Sequence, residues 1–188
     1  RYSQLSPNGG DLRFVSKAGE ELKYEIANWN TAGESQVWVR VPSLASDENV
    51  TMYWGNTNAG LPAYANNGSV WDGYFGVYHL EGTTGSAVDS SPLSNNLPGV
   101  NAPVLEASGL SGTAYSSTSA ANNGFISSAL SGNIKAKNGT YSLWINHSPN
   151  VANKHFFGME YNNDASNYLY VVGGTASANK ARVWVAGG

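Results

Sequence analysis

Residues 11–60 carry four short runs in which apolar and polar side chains alternate, each closed by turn-forming residues. Leu12 and Phe14 fall on one face of the first. Leu22, Tyr24 and Ile26 share a face of the second, with Lys23 and Glu25 opposite. Val37, Val39 and Val41 line up in the third, and Val50, Met52 and Trp54 in the fourth. A period of two is the mark of half-buried strands, since successive side chains of an extended chain point to opposite faces. Gly19, Asn30 to Gly33, Pro42 to Asn49 and Gly55-Asn56 separate the runs. Such punctuation suits antiparallel connections, because parallel strands need much longer crossovers.

The rest of the chain supports an all-β fold class. Of 188 residues, 22 are glycine, 12% are charged and 12% are aromatic, with Asn, Ser and Thr between the apolar runs. The expectation is antiparallel β-sandwich modules with long loops. The net charge is −3 and no basic run occurs, which argues against nucleic acid as a partner. No apolar run reaches the length of a membrane span. With no cysteine, stability comes from packing and not from disulfides. This composition reads as extracellular or bacterial cell surface, and the chain as an excised segment of a longer precursor.

The wording of the first runs resembles a bacterial domain of unknown function found in extracellular and envelope proteins. The matching elements are D-L-R-F at Asp11 to Phe14, Y-E-I-x-x-W at Tyr24 to Trp29, V-W-V-x-V-P at Val37 to Pro42 and Y-W-G-N at Tyr53 to Asn56. The resemblance covers about the first third of the chain. It implies a setting in large secreted adhesin-like proteins, or in envelope proteins tied to biopolymer-transport channels, often directly before a laminin-G-like (concanavalin A-like) jelly roll. Gly76 to Leu80, Asp89-Ser90-Ser91 with Asn95-Asn96, and Tyr141 to Ile145 resemble successive pieces of that jelly roll. Tyr115 and small polar residues stand where its usual Phe and Asp are found.

Two modules are therefore expected. Residues 1–62 form a β-sandwich module lacking its N-terminal strands, and 63–188 a laminin-G-like module lacking its C-terminal ones. Residues 56–70, low in charge, read as the linker between them. Residues 155–161, 168–172 and 181–186 read as three further strands. The missing strands would come from a neighbouring module or chain.

Catalysis is not expected. Glycoside hydrolases on jelly rolls need two carboxylates about 5 Å apart on one strand face, and no E-x-D-x-x-E pattern occurs. His79, His147 and His155 lack zinc-ligand spacing, and His79 reads as half-buried and satisfied by backbone. Calcium, a hard ion taking oxygen ligands, is the one cofactor considered, with Asp89, Asn95 and Asp164 as candidate ligands. For Asp89 the competing reading is a side chain that organises a turn. Sugar rings stack on exposed aromatics, and Trp71, Tyr74, Tyr161 and Trp184 are the candidate glycan contacts; Trp29, Trp54 and Trp144 read as core. The expected role is a non-catalytic adhesion or carbohydrate-binding segment with a glycan or cell-surface partner. Two alternatives stand beside it: a self-assembling structural repeat, or an ancillary domain of a polysaccharide-degrading enzyme.

Overall fold

The structure is a computed structural model that describes residues 2–81, 85–106, 109–110, 112–116, 124–127, 139–146, 155–160, 168–173 and 181–186. It is all-β and antiparallel; the helical elements among these residues are single 3-10 turns. Five strands come from the alternating stretch: β1 (Arg13–Ser16), β2 (Glu21–Leu22), β3 (Tyr24–Asn28), β4 (Gln36–Val39) and β5 (Val50–Tyr53). They form two small sheets, β2-β1-β5 and the β3-β4 hairpin.

The alternation sets the core as expected. Leu12, Phe14, Leu22 and Tyr24 are all buried, with Ile26, Trp29, Val37, Val39 and Val41 packed around them. Leu22 and Tyr24 belong to different sheets, so the second run bends at Lys23 and feeds both layers of one core. The fourth run departs from expectation. Val50, Met52, Tyr53 and Trp54 are all exposed, and Trp54 is therefore not a core residue. The cause is position: β5 lies at the edge of its sheet, where no described strand covers its outer side.

Residues 56–70 do not behave as a tether. Leu61, Tyr64 and Ala65 pack into the same core, with Ala65 buried in a 3-10 turn over Ala63–Asn66. The Tyr64 ring meets Tyr24 edge-on at 5.6 Å, and its hydroxyl donates to Glu21 Oε1 at 2.5 Å. A second 3-10 turn, Ser69–Trp71, follows. Between the two turns Gly68 takes a left-handed conformation (φ 75°), and a Cβ there would lie 2.7 Å from the backbone of Ser91 and Pro92. Only glycine fits, so this turn is clamped against the 90–92 segment.

Further along, β6 (Gly99–Val100) pairs with β9 (Gly124–Phe125), and β7 (Val104–Glu106) pairs with β8 (Ala114–Ser116). β10 (His155–Glu160), β11 (Tyr168–Gly173) and β12 (Ala181–Ala186) form an antiparallel meander at the three places where strands were expected. Residues 141–146 form no strand, and Trp144 is 85% exposed rather than core. Among the described residues no helix is long and apolar enough to cross a membrane.

Candidate functional site

The site is built on the outer face of the β3-β4 hairpin. Because Tyr24 and Ile26 point into the core, Glu25 between them must point out. Its cross-strand partner is Trp38, so the two side chains stand next to each other on that outer face. Arg40, two residues on from Trp38, extends the row. Its guanidinium donates to the Ser69 carbonyl at 3.1 Å and lies 3.4 Å from the Asp72 carboxylate. The second 3-10 turn is thereby held over the hairpin, which brings Trp71 against Trp38.

Trp71 is the hub of an aromatic cluster. Its ring meets Trp38 at 5.4 Å and Tyr74 at 5.3 Å, both edge-on, and His79 at 5.6 Å. His79 in turn stacks on Trp38 at 5.7 Å. The indole N–H of Trp71 donates to Glu25 Oε2, and His79 Nε2 lies 3.4 Å from the same oxygen. His79 is half-buried, as expected, but its partner is this carboxylate and not the backbone. The outer rings remain open to solvent: Trp38 is 41% and Tyr74 56% exposed.

Glu25 also lines a polar cleft of about 360 Å³, with Asn66, Asn67, Ser90 and Ser94 among the other lining residues; the rings themselves do not line it. Burial alone would raise the Glu25 pKa, but hydrogen bonds from His79, Trp71 and Ser90 outweigh it and hold the carboxyl below its ordinary value. Glu81 is held above its own by partial desolvation and by the Glu25 charge, against an opposing pull from His79.

Asp89 closes the far wall of the cleft and is buried. Its Oδ1 accepts from the backbone N–H of Val77 and of Ser91, each at 2.8 Å. Its Oδ2 accepts the Ser91 hydroxyl at 2.6 Å and the Asn95 N–H at 2.8 Å. Asn96 Oδ1 receives the Asp89 N–H, and the Asn95 amide donates to the Phe75 carbonyl. The segment 89–96 is thus clipped to residues 75–78, and Asp89 displays the turn-organising role. Four chain donors occupy its carboxylate, so a calcium ion there would have to displace them. Asn95 is engaged through its N–H, its side-chain amide and its carbonyl, which accepts the Tyr78 hydroxyl at 2.7 Å. Burial and the Asp89 charge push the Tyr78 pKa up to about 12.

Of the other expected site residues, Trp71 and Tyr74 fall together in the aromatic cluster. Tyr161 and Asp164 lie outside the described residues, and of Trp184 only the backbone is described, in β12 opposite Tyr170. Among the described residues no three His, Cys, Asp or Glu side chains are grouped to hold a metal. Trp38 was legible in the sequence as one of the aromatics free to be exposed, whereas Glu25 and His79 were not singled out as site residues. The available signal was Glu25 as the outward position of a strand whose neighbours point inward.

The continuity of this packing from β1 through residue 95 matches the reach of a known family. Residues 8–95 match the family described as "Domain of unknown function (DUF2341)". The match spans just under half of the chain and runs across the boundary expected at residue 62. It takes in the hairpin, both 3-10 turns, the aromatic cluster and the Asp89 loop, so the whole candidate site lies within it. No curated protein and no solved structure matches the chain.

Three buried or half-buried carboxylates give the domain a defined response to acid. Burial opposes ionisation of Asp11, but hydrogen bonds from Gly55 and Ser6 prevail and lower its pKa; the Ser91, Val77 and Asn95 donors do the same for Asp89, and Glu25 is lowered as described. A lowered folded-state pKa means the unfolded chain binds protons first, so each group stabilises the fold above its unfolded value and loses that contribution as pH falls through the folded one. The reference values are 3.8 for the aspartates and 4.5 for Glu25. Glu81, held above its ordinary value, acts in the opposite sense, and with three lowered groups against one raised the urea midpoint should fall progressively below about pH 5. A midpoint that stays level down to pH 3 would contradict the assignment.

Proposed function

We propose that this chain is a non-catalytic carbohydrate-binding or adhesion segment of a larger extracellular bacterial protein, with Trp38, Trp71 and Tyr74 as the glycan platform. The observation that carries the reading is an exposed aromatic cluster tied through Glu25 to a polar cleft. Sugar rings offer apolar C–H faces to aromatic rings, while their hydroxyls need amide, hydroxyl and carboxylate partners such as Asn66, Asn67, Ser90 and Glu25. The cleft volume is in the range that holds small ligands, on the order of 300–1,000 Å³. Trp71 is fixed by its bond to Glu25 and by three ring neighbours, so little order has to be gained on binding. In this reading the platform belongs to the family-matched part, and the strands from β6 onward belong to a laminin-G-like jelly roll.

The test is a glycan array probed with the purified segment, with calcium and with a chelator. Binding to a defined sugar class is expected, and Tyr74→Ala and Trp38→Ala should each weaken it by about five- to tenfold, the worth of one stacked ring. Tyr74 is the more exposed of the two, so Tyr74→Ala should shift the melting temperature least, while Trp38→Ala also removes ring contacts to Trp71 and His79 and is read only where circular dichroism shows the fold is kept. A folded sample silent on the array, or one whose binding ignores both substitutions, would sink the platform.

A further inference from the structure

Resting on the carbohydrate-binding reading above, we infer that the cleft at Glu25 selects uncharged glycans, hexoses and N-acetylated amino sugars, and turns away uronic, sialic and sulfated ones.

The walls of the cleft are fixed before any ligand arrives. One wall is the turn at Asn66 and Asn67, another the loop from Ser90 to Ser94, and Glu25 enters from β3. Gly68 locks the turn against the loop, since a Cβ there would lie 2.7 Å from the Ser91 and Pro92 backbone. Asp89 pins the loop in turn by accepting the Val77 N–H. A ligand therefore meets the side chains already in place.

Those side chains are of two kinds. Asn66, Asn67, Ser90 and Ser94 offer amide and hydroxyl groups, which both donate to and accept from sugar hydroxyls. Glu25 and Asp89 are carboxylates, and among the described residues no Lys, Arg or His lines the cleft. Lys23 and Arg40 flank β3 and β4 but do not line it. Arg40 is in any case engaged by the Asp72 carboxylate and the Ser69 carbonyl. Both lining carboxyls are held below their ordinary values by the donors around them, so both are charged at neutral pH. The cleft thus carries negative charge with no cation in its lining.

An anionic sugar would shed part of its hydration beside Glu25 and find no counter-charge in return. Like charges brought together in a partly buried site repel, and solvent screens them only in part. A neutral sugar meets no such opposition and keeps the amide and hydroxyl bonds. A sugar with a free ammonium group gains little either. Asp89 is filled by four chain donors, and Glu25 is engaged by Trp71, His79 and Ser90, so an ammonium would have to compete with them.

The test compares matched probes on the array, at neutral pH and in chelator. One pair is a hexose oligomer and its uronate counterpart. A second set is an N-acetylhexosamine oligomer, its sulfated form and its de-N-acetylated form. The uncharged member is expected to bind at least about tenfold tighter than the anionic one, with the gap narrowing as salt is raised. Asn66→Lys, at an exposed position, supplies the missing counter-charge and should raise binding of the uronate by about fivefold or more. Glu25→Gln removes the charge at constant size and should narrow the gap, provided circular dichroism shows the fold is kept. Equal or tighter binding of the uronate or the sulfated sugar overturns the inference, as does tighter binding of the free amine. So does a uronate that ignores Asn66→Lys, or one that calcium restores to the neutral level. Anionic binding that is lost on Tyr74→Ala would overturn the selection and leave the aromatic platform standing. A folded segment silent on every probe would sink both together.

Discussion

Asp89→Ala is expected to destabilise the fold by on the order of 4 kcal/mol, the largest effect of any single polar substitution. The residue is buried, and the change removes four acceptor contacts at once. The donors left behind are three backbone N–H groups and one hydroxyl, in a place where water reaches only part of the site. An unsatisfied buried donor costs about 1–3 kcal/mol, and the four are coupled, so their costs do not simply add. Asp89→Asn should fall between. Its remaining oxygen can still accept from Val77 and Ser91, but its NH₂ faces the Asn95 N–H donor to donor. The measurement is a urea unfolding series read by tryptophan fluorescence. Equal midpoints for wild type and Asp89→Ala would remove the hub role. If the wild-type midpoint moves with calcium and with chelator while Asp89→Ala does not respond, Asp89 is a metal ligand and its hydrogen bonds are rearranged on binding.

The same logic holds at Asp11, which suggests how this fold manages without disulfides. Asp11 Oδ1 accepts the N–H and hydroxyl of Ser6, each at 2.8 Å, and Oδ2 accepts the Gly55 N–H at 2.8 Å. Gly55 has φ 94°, a conformation that suits glycine, and it follows directly on β5 and Trp54. The first aspartate of the alternating stretch is thereby tied to its last turn. Trp29 Nε1 reaches back to the Pro7 carbonyl at 2.7 Å. Residues that stand out in the sequence as motif positions (Asp11, Trp29, Gly55, Asp89) serve here as ties between distant turns. Among the described residues, the outer rings of the aromatic cluster stay open to solvent beside these ties.

What the sequence made legible follows from what is local. Alternation places Leu12, Phe14, Leu22 and Tyr24 inward because side-chain direction is decided within a strand. Alternation also made Val50, Met52 and Trp54 look inward, yet whether a face is covered depends on strand order, and no periodicity encodes that β5 ends the sheet. The Asp89-Ser90-Ser91 turn was legible as a turn, since an Asp bonding the N–H two residues on is a local pattern. Its reach to Val77 was not. Low charge made residues 56–70 resemble a linker, whereas the apolar residues Leu61, Ala63, Tyr64 and Ala65, four in five positions, were the sign of packing. Glu25 and His79 are 54 residues apart, and only the fold brings them to 3.4 Å.

Tyr24→Ala is expected to cost about 3–5 kcal/mol, comparable with the whole margin of a marginal domain. Tyr24 is 0% exposed and is the side chain on which both sheets converge. Its ring packs edge-on against Phe14 at 5.2 Å and Tyr64 at 5.6 Å, and its hydroxyl donates to the Leu12 carbonyl at 2.9 Å. Truncation leaves a void bounded by β1, β3 and the first 3-10 turn, elements held by different hydrogen-bond networks that cannot all collapse inward together. Tyr24→Phe keeps the rings and gives up only the bond to Leu12, a loss of about 1 kcal/mol. The two variants separate packing from hydrogen bonding, and an alanine variant no less stable than the phenylalanine one would refute the central packing role. The consequence reaches the opposite face of the same hairpin. Glu25 and Trp38 are held outward only while Tyr24 is held inward, so Tyr24→Ala should abolish glycan binding near its unfolding midpoint, and Tyr24→Phe should leave it intact.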